Sequence, residues 1–258
     1  MSEKEFQQIS NDLFCLKYEN ETLATWLTGN ALERWLPGYV PLDLHNHHKI
    51  RYDLACNYVE GKEVLDIACG CGYGSLLLAD NGKAKSVSGF DIDGDSITYG
   101  TWKFPHINIT RIAGDALNYE NQNKFNVAVS FETIEHLTDV PLFLKNIKRS
   151  LNRGGIFLVS TPIVLHTRTK CDNPYHMIEW SFYDFHKVIS QYFSIEEIYL
   201  QNISLKKNIS TLIYRAIRKI RRDFLKIPYN IGFEKWTGQY KGENIMAGYQ
   251  TLVCKNNL

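Results

Sequence analysis

The stretch VLDIACGCGYGS, residues Val64 to Ser75, decides the fold of this chain. An apolar run leads directly into a loop with three glycines, and a helix-like pattern follows the loop. A β-strand that ends in a glycine-rich turn before a helix is typical of α/β proteins that bind a ligand at the carboxyl ends of their strands. The stretch therefore predicts a ligand-binding loop directly after the first strand of such a fold.

Apolar runs and helix-like segments alternate along the chain from residue 63 onward. The runs are nearly continuous in apolar character, as expected of parallel strands that helices cover on both faces. The pattern predicts an α/β fold, Rossmann-like and doubly wound, with a mostly parallel seven-stranded sheet and helices on both faces. The run at residues 247–255 alternates like a half-exposed strand, and we expect it to add antiparallel at the sheet edge.

The length of 258 residues is compatible with a single domain, residues 1–258, in three parts. Residues 1–60 are expected to form an N-terminal helical cap, and residues 61–201 with 247–258 the Rossmann-like core. Residues 202–246 are expected to form a helical insert before the last strand. Within it, residues 206–226 carry eight Lys or Arg and one acid. This basic surface could contact an anionic substrate or a membrane surface, or it could face solvent or a second copy in a homodimer.

The overall composition argues against several classes of protein. A formal net charge of +1 gives no electrostatic footprint of a nucleic-acid binder, so no nucleic-acid partner is expected. The sequence shows no charged start followed by an apolar segment and no apolar run of membrane-spanning length, which indicates a cytoplasmic protein. The six cysteines lack the Cys-x-x-Cys spacing of zinc sites and are expected to be reduced, buried thiols.

Acidic residues follow three successive predicted strands. Asp66 ends the first strand, Asp91 follows in GFDID, and Asp115 follows in AGDAL. A dinucleotide loop would need a third glycine where this chain has Ser75, and Asp66 would repel a pyrophosphate. A ligand with an ammonium group, ribose hydroxyls and an adenine amino group, but no phosphate, fits all three carboxylates. S-adenosylmethionine is such a ligand, although each acid taken alone could be a helix cap or a turn residue.

Five segments between Val64 and Pro162 resemble the successive motifs of class I S-adenosylmethionine-dependent methyltransferases. They read VLDIACGCGYGS, GFDID, GDA, VAVSFETIEHL and LNRGGIFLVSTP. The family loop usually has a glycine where this chain has Ala68; a methyl group there is expected to be tolerated. The resemblance implies methyl transfer from S-adenosyl-L-methionine, with S-adenosyl-L-homocysteine as the product. The expected cofactor-binding residues are Arg51, Tyr52, Asp66, Ala68, Gly70, Gly72, Tyr73, Asp91, Ile92, Asp115, Ala116, Phe131 and Glu132.

The segments ERWLPG, HHKIRY and NPYHMIEWSFYDFHKVI resemble small-molecule methyltransferases of bacterial surface-polysaccharide biosynthesis. In that group a pattern like NPYH follows the fifth strand, on the acceptor side of the cofactor. The resemblance implies a small polar acceptor, such as a hydroxyl of a sugar, a nucleotide-sugar or a phosphorylated metabolite in capsule or lipopolysaccharide biosynthesis. Two other classes stay open: an RNA or protein methyltransferase, which only the basic insert favours, and a cofactor-binding module without catalysis.

A hydroxyl acceptor must lose its proton, and histidine is the natural base near neutral pH. His136 follows the fourth strand beside Glu135, which could raise its basicity and fix its tautomer. His136 is therefore expected to be the base or an anchor for the acceptor. His176 and Glu179, in NPYHMIEW, are expected to shape the acceptor pocket. Alternatively, these side chains only cap or pack their own segments.

No metal site is expected from the sequence. His45, His47 and His48 form a cluster, but no carboxylates alternate with them at ligand spacing. The segment that follows, with Arg51 and Tyr52, is expected instead to close over the cofactor, where its basic and aromatic groups could contact the methionine carboxylate or the adenine.

Overall fold

The computed structural model describes residues 2–28, 35–120, 122, 124–206, 232–239 and 241–257. The α-helices are α1 (Glu3–Leu27), α2 (Leu42–Val59), α3 (Tyr73–Asp80), α4 (Gly94–Lys103), α5 (Val140–Ser150) and α6 (Phe182–Ile189). The strands are β1 (Glu63–Ile67), β2 (Ser86–Asp91), β3 (Ile109–Ala113), β4 (Phe125–Phe131), β5 (Leu151–Val164), β6 (Ser194–Leu205), β7 (Glu234–Lys235) and β8 (Ile245–Lys255). Short 3-10 helices occupy Ala116–Asn118, Ile134–His136 and Gly242–Asn244. Within the described ranges no helix is long and apolar enough to cross a membrane.

The chain divides into two compact units. The first comprises Met1–Glu120 with Phe125–Val129, and the second comprises Asn121–Lys124 with Ser130–Leu258. In the first unit the strand order is β3-β2-β1-β4 and the pairs are parallel, whereas in the second the order is β5-β8-β6-β7 and the pairs are antiparallel. The order of the first unit reverses between β1 and β4, which is where α/β sheets bind their ligands. The organisation as a single domain stays a prediction.

The register of the first three strands brings their carboxyl ends to one edge. Ile67 of β1 pairs with Phe90 of β2, and Asp91 of β2 pairs with Ala113 of β3. Four of the five residues of β1 are buried, as expected of an apolar run in a parallel sheet. The ends of these strands and the segments directly after them, which together carry the three predicted acids, therefore share this edge.

Helix starts in both units follow from local side-chain chemistry. The Asp93 side chain accepts a hydrogen bond from the Asp95 amide at the start of α4. The Asp139 side chain accepts one from the Leu142 amide at the start of α5. Such caps satisfy amides that have no partner inside the helix. The short polar residues before these two helices therefore fix where the helices begin.

Helix α1, in the predicted N-terminal cap, packs into the first unit through a buried carboxylate. Glu19 is 3% exposed, and it accepts hydrogen bonds from the hydroxyls of Tyr39 at 2.6 Å and Tyr99 at 2.8 Å. The ammonium group of Lys103 lies 2.7 Å from the same carboxylate. Burial opposes ionisation, but these donors hold the pKa of Glu19 below its usual range. The α1 helix is therefore fastened to α4, which carries Tyr99 and Lys103.

Several predicted boundaries were wrong. The described residues contain eight strands instead of seven. The additional strand is β7, which has two residues, lies in the segment that was predicted as a helical insert and pairs with β6. Strand β6 continues to Leu205, beyond the predicted core boundary at residue 201, and β8 begins at Ile245 instead of residue 247. Strand β8 is antiparallel as predicted, but it lies between β5 and β6 and not at the edge. The predicted basic helix lies outside the described residues, apart from Lys206.

Candidate functional site

The loop after β1 has the left-handed backbone that its glycines indicate. Gly70 has a φ of 55° and Gly72 a φ of 73°, which glycine adopts without a steric penalty. Ala68 has a φ of 60°, and this conformation costs a residue with a Cβ about 1–2 kcal/mol. The amide of Gly70 donates to Asp91 Oδ2 over 2.7 Å, which ties the loop to the end of β2. The methyl group at position 68 is therefore accommodated with backbone strain.

Asp66 lies near the end of β1, and protein groups enclose its carboxylate. The residue is 1% exposed; the hydroxyl of Tyr52 donates to Oδ1 over 3.0 Å and that of Ser75 to Oδ2 over 2.6 Å. Burial raises the pKa of Asp66 to about 6, against the opposing effect of these two hydrogen bonds. The sequence predicted a carboxylate that points into the ligand crevice, whereas the structure shows both oxygens bonded to helices α2 and α3. The difference arises because a strand-end position does not reveal which side chains pack over it.

Asp91 and Ile92 form the end of β2 and the first residue after it. Asp91 Oδ1 accepts a hydrogen bond from the amide of Asp93 over 2.9 Å, so the carboxylate has a fixed orientation. Ile92, the next residue in the chain, is 74% exposed, so its apolar side chain lies in solvent. A hydrogen-bond acceptor next to an apolar surface suits a ligand with a hydroxylated sugar and an aromatic base.

Asp115 and Ala116 follow β3. Asp115 Oδ1 accepts a hydrogen bond from the amide of Leu117 over 2.8 Å, and Ala116 is the first residue of the short helix that this contact caps. A role as a helix cap is one of the interpretations that the sequence allowed for each of the three acids. A carboxylate has two oxygens, so the cap leaves acceptor capacity on Asp115 for a ligand amino group.

Aromatic side chains pack around the start of α3. A Cβ at Gly74 would lie 2.0 Å from Cζ of Tyr52, so the absence of a side chain there makes room for the Tyr52 ring. Trp35 stacks on Tyr52 with ring centroids 5.5 Å apart and meets the Tyr73 ring edge-on at 5.1 Å. Arg51, adjacent to Tyr52 on α2, is 1% exposed. The predicted cofactor residues of the cap thus pack beside the glycine loop.

Two of the three clustered histidines belong to the same aromatic group. His45 Nδ1 lies 3.2 Å from the indole nitrogen of Trp35, which donates to it. His48 stacks on Trp35 at 5.3 Å. The pKa of His48 is lowered to about 3, mainly by burial and to a smaller extent by the nearby positive charge of Arg51. His48 is therefore neutral at physiological pH and packs as an aromatic ring.

All six cysteines are free thiols. Burial raises the pKa of Cys71 to about 11 and that of Cys69 well above its usual range, so both loop thiols stay protonated. The prediction of buried thiols is confirmed for four of the six, while Cys56 and Cys171 are half-buried. The loop cysteines are therefore packing residues.

The first unit fits a ligand with the chemistry of S-adenosylmethionine. An added Cβ at Gly70 would meet no atom within 4 Å, so a ligand can approach the backbone closely there, and Asp91 and Asp115 offer acceptors at adjacent strand ends. Asp91 would bind the ribose hydroxyls, Asp115 the adenine amino group, and the Arg51 guanidinium the methionine carboxylate. When bound, the cofactor supplies a methyl group already activated on a sulfonium.

The remaining predicted cofactor residues, Phe131 and Glu132, belong to the second unit. Phe131 is 7% exposed. Glu132 has a φ of 54°, and its Oε1 accepts a hydrogen bond from Ser160 over 2.7 Å. A strained backbone in a residue with a side chain persists where the surroundings enforce it, and such residues cluster at functional sites. Glu132 is therefore held in a fixed position at the end of β4.

Two segments of the second unit, residues 134–136 and 173–179, form one polar cluster. The carbonyl oxygen of Glu135 accepts a hydrogen bond from the amide of Met177 over 2.8 Å. Nδ1 of His136 lies 3.0 Å from the carbonyl oxygen of Tyr175, and the rings of His136 and His176 meet edge to face with centroids 4.9 Å apart. The cluster thus brings together residues predicted from two separate stretches of sequence.

Glu179 completes the group of four predicted catalytic residues. Its Oε1 lies 2.9 Å from Nδ1 of His176, and its Oε2 accepts a hydrogen bond from Nε of Arg168 over 2.7 Å. Thr161 donates to Oε2 of the buried Glu135 over 3.1 Å. Sequence reasoning missed Arg168 and Thr161. A polar residue near the end of the apolar β5 run could have pointed to Thr161, but Arg168 lies in an irregular segment without such a signal.

The same cluster contains a group that could hold a metal ion, which the sequence did not predict. One potential ligand atom each of Glu135, His136 and His176 lies within 4.8 Å of the others. Two imidazoles and one carboxylate form a donor set that binds divalent transition metals.

Comparison with known proteins identifies the family of this chain. A family model described as a methyltransferase domain matches residues 59–216. A probable S-adenosylmethionine-dependent methyltransferase of Mycolicibacterium smegmatis is 33% identical over 157 residues, 59% of each chain. A ubiquinone biosynthesis O-methyltransferase of Rhizobium etli is 30% identical over 149 residues, 51% of this chain and 59% of that one. The match thus spans 59% of the length of these curated relatives.

A solved structure supports the fold. Phosphoethanolamine N-methyltransferase 2 of Haemonchus contortus, in complex with S-adenosyl-L-methionine, matches with a TM-score of 0.53 at 16% identity, over 81% of this chain and 53% of that one. S-adenosylmethionine is the cofactor to which the family and the first unit's strand-end carboxylates both point. Because the family model covers more than half of its residues, the chain belongs to the methyltransferase domain family.

Proposed function

We propose that this protein transfers a methyl group from S-adenosyl-L-methionine to a hydroxyl of a small polar acceptor. The acceptor class is a sugar, a nucleotide-sugar or a phosphorylated metabolite in the biosynthesis of a surface glycan such as a capsule or lipopolysaccharide. The observation that carries the proposal is the cluster of Glu135, His136, His176 and Glu179. A hydroxyl acceptor needs such groups because its oxygen must be held and its proton must leave.

The reaction is a displacement at the methyl carbon. The acceptor oxygen forms a bond to that carbon while the carbon–sulfur bond breaks, and the electron pair of the broken bond stays on sulfur as a thioether. The hydroxyl proton passes to a base, and a positioned base contributes about 10²–10⁴-fold to such a step. His136 takes this proton or anchors the acceptor oxygen, while Glu179 fixes the orientation of His176.

The hydrogen bonds of the two histidines fix their tautomers. A backbone carbonyl oxygen and an ionised carboxylate can only accept hydrogen bonds. Nδ1 of His136 faces the carbonyl of Tyr175, and Nδ1 of His176 faces the carboxylate of Glu179, so Nδ1 carries the proton in both rings. In each neutral ring the lone pair is therefore on Nε2, where it can accept a proton or bind an electrophile.

Two further features support a small hydroxylated acceptor. Tyr175 and Met177, on either side of His176, are 49% and 48% exposed, and such side chains can pack against the apolar face of a sugar ring. The Rhizobium etli relative is named as an O-methyltransferase. The link to surface glycans rests on the resemblance of the NPYH segment.

The proposal extends to location and partners. We place the enzyme in the cytoplasm, where its six free thiols would stay reduced. The basic segment 206–226 contacts an anionic part of the acceptor or a membrane surface. Nucleic acid is not a partner, and the protein forms a homodimer.

A panel of acceptors with labelled cofactor tests the function. We expect label in a small soluble product when sugars, nucleotide-sugars and phosphorylated metabolites are supplied. Label in RNA or protein would instead assign a macromolecular acceptor. Saturable cofactor binding without transfer to any of these classes would make the chain a binding module and overturn the proposal.

Two variants separate the acceptor cluster from the cofactor residues. His136→Ala should lower kcat by about 10²–10⁴-fold with cofactor affinity nearly unchanged. Asp91→Ala should weaken cofactor binding and leave the polar cluster intact. His166→Ala is a matched control because His166 is an exposed histidine of the second unit outside the cluster. Unchanged turnover in His136→Ala would remove this residue from the mechanism.

A further inference from the structure

We propose that Glu135, His136 and His176 bind a divalent transition-metal ion. The binding of an ion by these three residues does not depend on the proposed function. Its task, to hold the acceptor oxygen and ease the loss of the hydroxyl proton, rests on the proposed function. In that role His136 is a metal ligand and thus the anchor, and the hydroxyl proton passes to a water molecule of the solvent instead of to His136.

The spacing of the three side chains suits a metal. Their ligand atoms lie within 4.8 Å of one another, whereas ligands bound at about 2.0–2.2 Å from zinc are roughly 3–4 Å apart. Side-chain rotations that shorten the longest separation by roughly an ångström would therefore close the site. Among the described residues no other trio of His, Cys, Asp or Glu meets this spacing.

The partners of the histidines are those of metal ligands. A metal-binding histidine usually donates its other ring N–H to a carboxylate or a backbone carbonyl, which orients the ring. His176 has such a carboxylate in Glu179, at 2.9 Å, and His136 has such a carbonyl in Tyr175, at 3.0 Å. Both rings therefore present the Nε2 lone pair that a metal requires. In this structure the amide group of Asn173 lies 3.0 Å from Nε2 of His176, and the ion would replace it.

The third ligand, Glu135, also has hydrogen-bond partners that orient it. Glu135 is 1% exposed, and its carboxylate receives a hydrogen bond from Thr161. Its carbonyl oxygen accepts hydrogen bonds from the amides of Met177 and Ile178 over 2.8 and 3.2 Å, which hold the two ligand-bearing segments together. A buried carboxylate beside two imidazoles favours a cation, because low polarity strengthens the attraction. The three protein ligands leave coordination positions for an acceptor oxygen.

Metal titration of the full-length protein tests the site. After treatment with a chelator and desalting, Zn²⁺ and Mn²⁺ are titrated separately by calorimetry, without cofactor. We expect one equivalent of at least one ion to bind, and His136→Ala and His176→Ala to weaken binding at least about 10-fold. Glu179→Gln should weaken it about 10–100-fold through the orientation of His176. His166→Ala should bind like the wild type; equal binding in His136→Ala, His176→Ala and the wild type, or none in any, would overturn the proposal.

Two further measurements separate this site from the proposed function. Transfer to a hydroxyl at the full rate in the presence of chelator would overturn the metal's task while the methyltransferase assignment stands. Stoichiometric metal binding by the trio without transfer to any hydroxyl would leave the site standing and refute the proposed acceptor. Circular dichroism of each variant shows whether the protein is folded, and His136→Ala is the key variant because His136 is only partly buried.

A separate observation concerns the outer face of α1, and from it we infer that two copies of this chain pair through this helix as a parallel coiled coil. Apolar residues on this face recur at alternating separations of three and four. Their exposed fractions lie between 40% and 79%. A strict seven-residue repeat is typical of a two-stranded coiled coil and not of a helix that packs on a single core. The residues are Phe6, Ile9, Leu13, Leu16, Leu23 and Leu27, with Asn20 at the remaining position.

The opposite face of α1 is already occupied within the first unit. Tyr18 is 3% exposed, and its hydroxyl lies 2.6 Å from that of Ser96 on α4, while Glu19 binds Tyr99 and Lys103 of the same helix. The apolar stripe therefore belongs to a helix that is already fixed in a folded unit, which removes most of the ordering cost of pairing.

The charges beside the stripe favour a second copy in parallel orientation. With Phe6 at the first position of the repeat, Asp12 and Lys17 flank the stripe on opposite sides. In a parallel pair, the residue before the first position of one heptad faces the residue five places later on the partner. Asp12 thus faces Lys17 of the second copy, and the symmetry provides this pair twice. Asn20 would face its own counterpart, a polar pair that fixes two strands in register.

The mass of the protein in solution tests this interface. Sedimentation equilibrium should give a dimer for the wild type, and Leu13→Glu with Leu16→Glu should raise the dissociation constant about 100-fold or more. Leu142→Glu, at a 37% exposed position of α5, is the matched control and should stay dimeric. Lys17→Glu should weaken the dimer several-fold, and adding Asp12→Lys should restore it. A monomeric wild type, or a dimer that both leucine substitutions leave intact, would overturn the inference.

Discussion

Tyr52 and Asp66 share a hydrogen bond of 3.0 Å between two side chains that are 5% and 1% exposed. The bond joins α2, in the predicted cap, to the end of the first strand of the sheet. Ser75, at the start of α3, donates to the other oxygen of the same carboxylate. Asp66 is therefore the point at which the cap, the strand and the helix after the glycine loop meet.

Asp66→Asn should stabilise the cofactor-free protein at neutral pH. Burial raises the pKa of Asp66 to about 6, from about 3.9 in an unfolded chain. Because the folded state holds the proton more tightly, the contribution of Asp66 is full below about pH 4 and is lost as the pH rises through about 6. The gain from Asp66→Asn should therefore grow between these values and reach about 2–3 kcal/mol. Urea unfolding from pH 4 to 8 measures it, and a gain that does not depend on pH would contradict the assignment.

Ala68→Gly should also stabilise the protein. Its φ of 60° costs alanine about 1–2 kcal/mol that glycine avoids, while the more flexible glycine loses about 0.5–1 kcal/mol through the unfolded state. The expected net gain is about 0.5–1 kcal/mol, measured by denaturant unfolding. Ala24→Gly, on the exposed face of α1, should instead cost about 1 kcal/mol. If Ala68→Gly lowered the free energy of unfolding as Ala24→Gly does, the backbone conformation at position 68 would not destabilise the protein.

The strand pattern and the strand-end acids could be predicted from the sequence because both follow from periodicity and position along the chain. Apolar runs specify parallel strands, and adjacent parallel strands bring their ends to one edge, which places Asp66, Asp91 and Asp115 together. The environment of Asp66 could not be predicted, because its donors Tyr52 and Ser75 come from two helices whose packing the sequence does not state.

In the polar cluster of the second unit, too, some residues could be predicted from the sequence and others could not. His136 and His176 could be identified because each follows a predicted strand in a recognisable segment. Arg168 could not, since its contact with Glu179 depends on an irregular segment that folds back through paired backbone hydrogen bonds of 2.9 Å. Strand β7 was missed because two residues are too few to show any periodicity.

Glu19→Gln should loosen α1 in a pH-dependent way. Its donors, despite the opposing effect of burial, hold the pKa of Glu19 below its usual range. The stabilisation is therefore present above the unfolded value of about 4.3 and is lost as the pH falls through the lowered folded value. We expect a loss of about 1.5–3 kcal/mol at pH 7 that shrinks in acid. Hydrogen exchange of Glu3–Leu27 measures it, and Glu21→Gln, an exposed neighbour on the helix, should leave exchange unchanged.

Gly74→Ala should destabilise the protein although alanine normally favours a helix. The new Cβ would lie 2.0 Å from the Tyr52 ring, so the ring must move and its bond to Asp66 must break. Overpacking of this kind lowers the free energy of unfolding by about 1–3 kcal/mol. Cofactor affinity should fall as well, because Gly74 lies at the start of α3, directly after the glycine loop. Gly94→Ala at the start of α4 meets no atom within 4 Å and should be neutral or gain up to about 1 kcal/mol. Thermal unfolding and cofactor titration of both variants measure the contrast, and equal stabilities would mean that Tyr52 does not occupy the space above Gly74.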